Sequence, residues 1–292
     1  MNEEACILKK TAVIADSTCD LSAELIERYH ITIVPLHILL NEEEYLDGIN
    51  ITPSQIYAWA DENKSTPSTS AVSVPDVCEA LEKVLQEAEE VVCFCISESM
   101  SSSGNMMRVA ADEMGISDRV FVIDSQNLST GIGLQVIEAA ILAEKGLRGA
   151  EIVAGIEKIR PMVRASFVVD TLTYLYRGGR CSGLSAIAGS ALKLHPLIEV
   201  KGGAMIPGKK YRGKMDKVIL SYVNDLMPAL RTARTDRVFI THSGCPEETV
   251  AKVREQLEAM DYFDEILITV AGGVVSSHCG PGTLGVLFIA SE

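Results

Sequence analysis

Positive charge is scarce in this chain of 292 residues: 26 Lys and Arg stand against 40 Asp and Glu, a formal net charge of −14. A body so acidic repels phosphate backbones, which argues against a general nucleic-acid binder. No apolar run approaches the 18 or so residues of a membrane span, so no integral membrane segment is expected. The opening stretch, MNEEACILKK, carries acids where a signal peptide has a basic region, and the expected location is the cytoplasm. Eight cysteines occur without any Cys-x-x-Cys, and Cys93 and Cys95 alternate along a strand-like run. Reduced thiols packed in a core are expected there rather than a zinc or redox centre.

Familiar catalytic signatures are missing as well. Gly131-Ile132-Gly133 lacks the third glycine of the dinucleotide fingerprint, and there is no phosphate-loop G-x-x-x-x-G-K-[ST]. No G-x-S-x-G elbow is present; Ser190 and Lys193 have the spacing of a β-lactamase tetrad but none of its companion motifs. No cluster of carboxylates and histidines suggests a metal site, and no cofactor is expected. Repeats of 20–50 residues and low-complexity tracts are absent too.

What remains is a globular composition, 47% hydrophobic and 23% charged, with length for one large or two modest domains. Short apolar runs lead into helical patterns: TAVIADST into DLSAELIERY, VVCFCISES into a helix including Met106 to Met114, and RVFVIDSQ into GIGLQVIEAAILAEKGL. Such alternation predicts a parallel sheet with helices on its faces. The second half differs. SFVVDTL, HPLIEV and AMIP read as strands, with Lys201-Gly202-Gly203 as a hairpin turn between the last two, an antiparallel feature. A helix is expected over about 214–232, then RVFITHSG, a helix in PEETVAKVREQLEAM, and the strands EILITV and TLGVLFIAS. The predicted class is α/β with two domains, residues 1–163 built on a parallel sheet and 164–292 on a mixed sheet.

The charge is uneven. From Arg160 to Lys217 the segment carries Arg160, Arg164, Arg177, Arg180, Lys193, Lys201, Lys209, Lys210, Arg212, Lys214 and Lys217 against Asp170, Glu199 and Asp216, a net +8; the remainder is −22. Ligands in open α/β sheets bind beyond the carboxyl ends of the strands, and hydroxyl-rich segments sit at those ends. Ser97 to Asn105 holds five serines and Gly104 before a helix N-terminus, a composition suited to anions such as carboxylate, or simply to capping. Ser65 to Ser73 is a second cluster, readable as a linker or a cap. Asp16-Ser17-Thr18 and Asp124-Ser125 are expected as scaffold. His278, just before Gly280-Pro281-Gly282, is a candidate donor to an anion; His30 and His37 read as structural and His242 as intermediate.

Six segments in order, VIADSTCDLSAELIERYHITIVPLHI with YLDG, ISESMSSSGN, VFVIDSQNLSTGIG, DTLTYLYRGGRCSG, LKLHPLIEVKGG with KKYRG, and SSHCGPGTLGVLF, resemble the DegV family of bacterial fatty-acid-binding proteins over nearly the whole chain. The resemblance implies a two-domain α/β fold holding a long-chain fatty acid. It implies that Thr69, Ser70 and Ser103, with Gly104 beside it, hold the carboxylate, and that His278 lies near the head group. It further implies a partner kinase subunit that turns the presented carboxylate into an acyl phosphate, for which Arg177, Arg180, Lys209, Lys210 and Arg212 form the expected docking edge. Two departures from the family pattern occur: Ala71-Val72 replaces the usual Gln-Pro, and Asn105 replaces a threonine. Burying about 14 methylenes at roughly 0.8 kcal/mol each supplies on the order of 11 kcal/mol gross, from which chain ordering and carboxylate desolvation subtract. The rival expectations are a hydrolase or transferase using Ser103 with His278, and an anion-responsive DNA-binding regulator.

Overall fold

The computed structural model describes residues 8–180 and 194–291. Lys193, its pairing with Ser190, and the Cys-Ser-Gly that closes the fourth resemblance segment lie outside the described residues.

The strand–helix alternation folds as its pattern requires. β1 (Lys9–Asp16) buries Val13, Ile14 and Ala15 together, as a strand covered on both faces must. α1 (Ala23–Arg28) starts at Ser22, whose hydroxyl accepts from Leu25 N. β2 (Ile31–Val34) then returns parallel to β1. The chain continues through β3 (His37–Leu40), β4 (Glu43–Leu46), α2 (Pro53–Asn63), β5 (Ser68–Ser70) and α3 (Val74–Val84). α2 opens with a capping box between Thr52 and Gln55 and with Pro53 in its first turn. β6 (Ala88–Cys95), α4 (Ser103–Glu113) and β7 (Val120–Asp124) complete a four-stranded parallel sheet in the order β2-β1-β6-β7.

A small antiparallel sheet, β4-β3-β5, accompanies it and has no counterpart among the elements expected from the sequence. It changes the meaning of the second hydroxyl cluster. Ser68, Thr69 and Ser70 form β5, paired with Leu39, Ile38 and His37, while Ser73 caps α3 through Asp76 N. His37 bridges Glu44 and Asp76 and acts as a structural link.

α5 (Thr130–Glu144) is apolar around most of its circumference, with ten buried residues, and a helix of that kind must be covered on every side. It packs against β1 and β6 on one side and β8 (Val163–Val168) and β13 (Thr283–Ile289) on the other. The chain leaves α5 through Gly146 at φ 78° and enters α6 (Gly149–Ile159). After β8 come α7 (Thr173–Arg177), β9 (Leu194–Lys201), β10 (Ala204–Arg212), α8 (Met215–Leu230), β11 (Arg237–Ser243), α9 (Glu247–Glu258), β12 (Glu265–Val270) and α10 (Gly273–Cys279). A six-stranded mixed sheet results, ordered β10-β9-β8-β13-β11-β12 and parallel only between β11 and β12. Gly202 and Gly203, both at positive φ, make the expected hairpin turn between β9 and β10. One core cluster runs from Val13 and Phe94 through α5 to Phe239 and Ile289, so residues of both sequence halves share it.

Candidate ligand-binding cavity

An apolar-lined opening among these elements gathers residues far apart in sequence. Leu36 precedes β3, Thr69 and Ser70 come from β5, and Ile96, Met100 and Ser101 follow β6. Leu128, Leu175 of α7, Arg180, Met205 of β10, and Val274, Val275, His278 and Cys279 of α10 close it. The space between these atoms is about 510 Å³, part of it open to solvent. Leu128, Val275 and Cys279 also line a second apolar space of about 330 Å³, which reaches Phe167, His242 and Leu287. The two are neighbours across one three-residue wall.

The polar groups in the wall of the first cavity are Thr69, Ser70, Ser101, Arg180 and His278. Thr69 Oγ1 lies 2.8 Å from His278 Nε2, a contact spanning 209 positions. His278 is on the last turn of α10; burial, and then the charge of Arg180, push its pKa down to about 4. Its imidazole is therefore neutral at pH 7. Nδ1 is buried without a hydrogen-bond partner and faces Gly178. A proton on Nδ1 would find no acceptor, which favours the tautomer with hydrogen on Nε2. His278 then donates to Thr69, leaving the threonine proton free for a ligand oxygen. Arg180 is half-buried, and its guanidinium donates to the carbonyls of Gly178 at 2.8 Å and Met100 at 3.4 Å.

The residues expected from the sequence are distributed unevenly about this cavity. Thr69, Ser70 and His278 line it together. Ser103 is fully buried one step behind it, its Oγ 3.0 Å from that of Ser101, and Ser101 is the serine that faces the cavity. Gly104 has a packing function: a Cβ there would stand 2.8 Å from Cys95 Sγ and from Glu98 Oε1. The five docking cations do not share one edge. Arg180 is in the cavity wall, and Arg177 is exposed on the end of α7. Lys209, Lys210 and Arg212 lie on the outer strand β10, with Lys209 paired to Asp225 and placed over the Tyr211 ring. From Met205 at the cavity to Lys210 is roughly 17 Å of strand at about 3.4 Å per residue. His242 borders the second cavity, with its pKa lowered by burial.

Sequence reasoning missed Ser101 as the cavity serine and placed Arg180 on a docking edge. A serine run offers no signal for which hydroxyl points inward, because the loop after β6 is irregular. Five of the described cysteines, Cys19, Cys93, Cys95, Cys245 and Cys279, are buried free thiols, and burial raises the pKa of each. Among the described residues no group of three or more His, Cys, Asp or Glu is placed to hold a metal ion, and no helix is long and apolar enough to cross a membrane.

Comparison with known proteins extends the picture. Residues 10–291 match the family described as "Uncharacterised protein, DegV family". A DegV domain-containing protein of Deinococcus radiodurans is 34% identical over 275 residues, 94% of this chain and 96% of that protein. A solved DegV family protein from Thermus thermophilus, described for fatty-acid binding, superposes with a TM-score of 0.88 at 31% identity, covering 96% of this chain and 99% of that one. DegV of Bacillus subtilis, described as a fatty acid binding protein, gives a TM-score of 0.83 at 25% identity over 97% and 100% of the two chains.

Proposed function

This chain belongs to the DegV family, and we propose that it binds a long-chain fatty acid, carboxylate at Thr69, Ser70 and Arg180 and tail in the two apolar cavities, and presents the head group to a kinase. The observation that carries the reading is the presence of three hydroxyls, one cation and a neutral histidine in the lining of an otherwise apolar space, with Thr69 and His278 in direct contact. A carboxylate entering it exchanges water for the Arg180 guanidinium and hydroxyl donors, the charge-assisted bonds that offset desolvation best. His278 acts one bond away, holding Thr69 so that its proton points to the ligand. The tail follows Ile96, Met100, Leu175 and Val274, and passes the wall of Leu128, Val275 and Cys279 into the second cavity. The family relatives whose descriptions mention fatty acids support the same ligand class.

Presentation to a partner rests on the family resemblance and on the surface beside the cavity. α7 carries exposed Tyr176 and Arg177 immediately before Arg180, so a partner seated there would approach the carboxylate end. The hydrolase alternative finds less support: Ser103 is sealed from the cavity and bonded to Ser101, and His278 Nε2 is engaged by Thr69.

Mass spectrometry of lipid extracted from the purified protein tests the ligand. Fatty acid near one equivalent is expected; neither bound fatty acid nor uptake of added fatty acid would refute the reading. For the partner surface, Arg177→Glu is expected to leave bound lipid unchanged and to slow acyl-phosphate formation by a bacterial fatty-acid kinase catalytic subunit about 10-fold, as the reversal of a rim charge does to association. Unaltered turnover would remove α7 from the docking surface.

A further inference from the structure

α10 supplies four residues to the cavity wall, and its first turn is held by two carboxylates from distant loops. Asp20 follows β1; its Oδ1 accepts from Gly272 N at 2.8 Å, and its Oδ2 accepts from the Ser129 hydroxyl at 2.5 Å. Asp47 follows β4; its Oδ1 accepts from Gly273 N at 2.6 Å, and its Oδ2 accepts from the Ser17 hydroxyl at 2.8 Å. Ser17 Oγ in turn accepts from Leu36 N at 3.1 Å, and Leu36 lines the cavity. All four carboxylate oxygens are thus engaged, two on the helix and two on neighbouring loops.

The approach is close enough to require glycine. A Cβ on Gly272 would stand 3.1 Å from Asp20 Oδ1, and one on Gly273 would stand 3.0 Å from Asp47 Oδ1 and 2.7 Å from Ile38 Cδ1. Asp20 itself adopts a left-handed backbone, φ 50° and ψ 29°, which turns its side chain out of the loop after β1. At its far end, α10 is held by the bond between His278 and Thr69. Four residues lie between Gly273 and His278 on this one short helix, so a shift of the first turn carries directly to the imidazole.

From this we propose that Asp20 and Asp47 are positioning residues: by gripping the first turn of α10 they set where His278 stands against Thr69 in the ligand cavity. Burial is the main cause that raises both carboxyl pKa values, Asp20 to about 8, and asparagine retains an acceptor oxygen at either position. The grip depends on acceptor oxygens more than on charge.

The affinity part of the test rests on the fatty-acid reading, and cis-parinaric acid fluorescence is its probe. Asp47→Ala is expected to weaken binding about 10-fold, Asp47→Asn to restore it to within about 3-fold, and Asp47→Ala to add nothing in a His278→Ala background, the non-additivity of residues acting through one another. Ser17→Ala, which loosens Asp47 without removing it, is expected to weaken binding about 3-fold by the loss of one hydrogen bond and covers the case in which Asp47→Ala does not fold. Full affinity in Ser17→Ala, or additive losses with His278→Ala, overturns the proposal. Where wild-type protein takes up no parinarate, the fatty-acid reading fails by itself. The clamp is then judged by the His278 ring ¹H–¹⁵N correlation: displacement in Ser17→Ala supports it, and an unmoved signal overturns it.

Discussion

One methyl group added at position 178 is expected to weaken fatty-acid binding about 10- to 100-fold while the protein stays folded, by pressing His278 off Thr69. Gly178 ends α7 with an ordinary helical backbone, φ −73° and ψ −3°, so alanine meets no conformational penalty there. The side chain itself has no room. Its Cβ would lie 2.2 Å from His278 Nδ1 and 2.7 Å from Cε1. The imidazole must retreat by more than 1 Å to reach normal van der Waals separation of about 3.5 Å or beyond. That movement breaks a 2.8 Å bond to Thr69. Overpacking of this kind costs about 1–3 kcal/mol, and here it falls on the bound geometry. Parinarate titration beside a thermal melt checks it; unaltered affinity in Gly178→Ala would show that His278 does not organise the head group. Gly179 supplies the contrast. It sits at φ 71° with nothing within 4 Å of its Cβ position, so alanine there is expected to lower stability and spare binding.

Thr69→Val is the second substitution with a large expected effect, a 10- to 100-fold loss of affinity with little change in melting temperature. Valine keeps the shape and suits a strand, so the pairing of Thr69 with Ile38 in β5 should persist. The lost hydroxyl has two partners to answer for. It leaves His278 Nε2 buried without its acceptor, and it withdraws a donor from the carboxylate. Hydrogen bonds to charged groups are worth about 1.5–3 kcal/mol, which sets the size of the expected loss. Thr69→Ser retains the hydroxyl and should recover most of the binding. A valine variant that binds as tightly as wild type would move the head group away from β5.

Much of the framework was legible because its signals are local. Alternating apolar runs and helical patterns placed β1, β6 and β7, and the glycine pair at Gly202 and Gly203 marked the hairpin. The helical pattern of GIGLQVIEAAILAEKGL likewise marked α5. Periodicity and turn chemistry act within about a dozen residues, so a single sequence displays them. Thr69, Ser70 and His278 were reached through family resemblance; their composition alone reads equally well as turn and cap.

By itself, then, the sequence determined an acidic α/β protein with a parallel sheet, a mixed sheet and a basic segment between them in the chain. Only the tertiary structure decided how those parts meet. It turned a serine-rich stretch into β5, sent Arg180 to the cavity while Lys209, Lys210 and Arg212 stayed on an outer strand, and chose Ser101 over Ser103 as the hydroxyl lining the cavity. It also gave Gly178 the task of making room for an imidazole a hundred residues later. The physical reason is range: each of these outcomes depends on α7, α10 and β5 packing together, and the contacts that fix their distances join residues with no shared pattern along the chain.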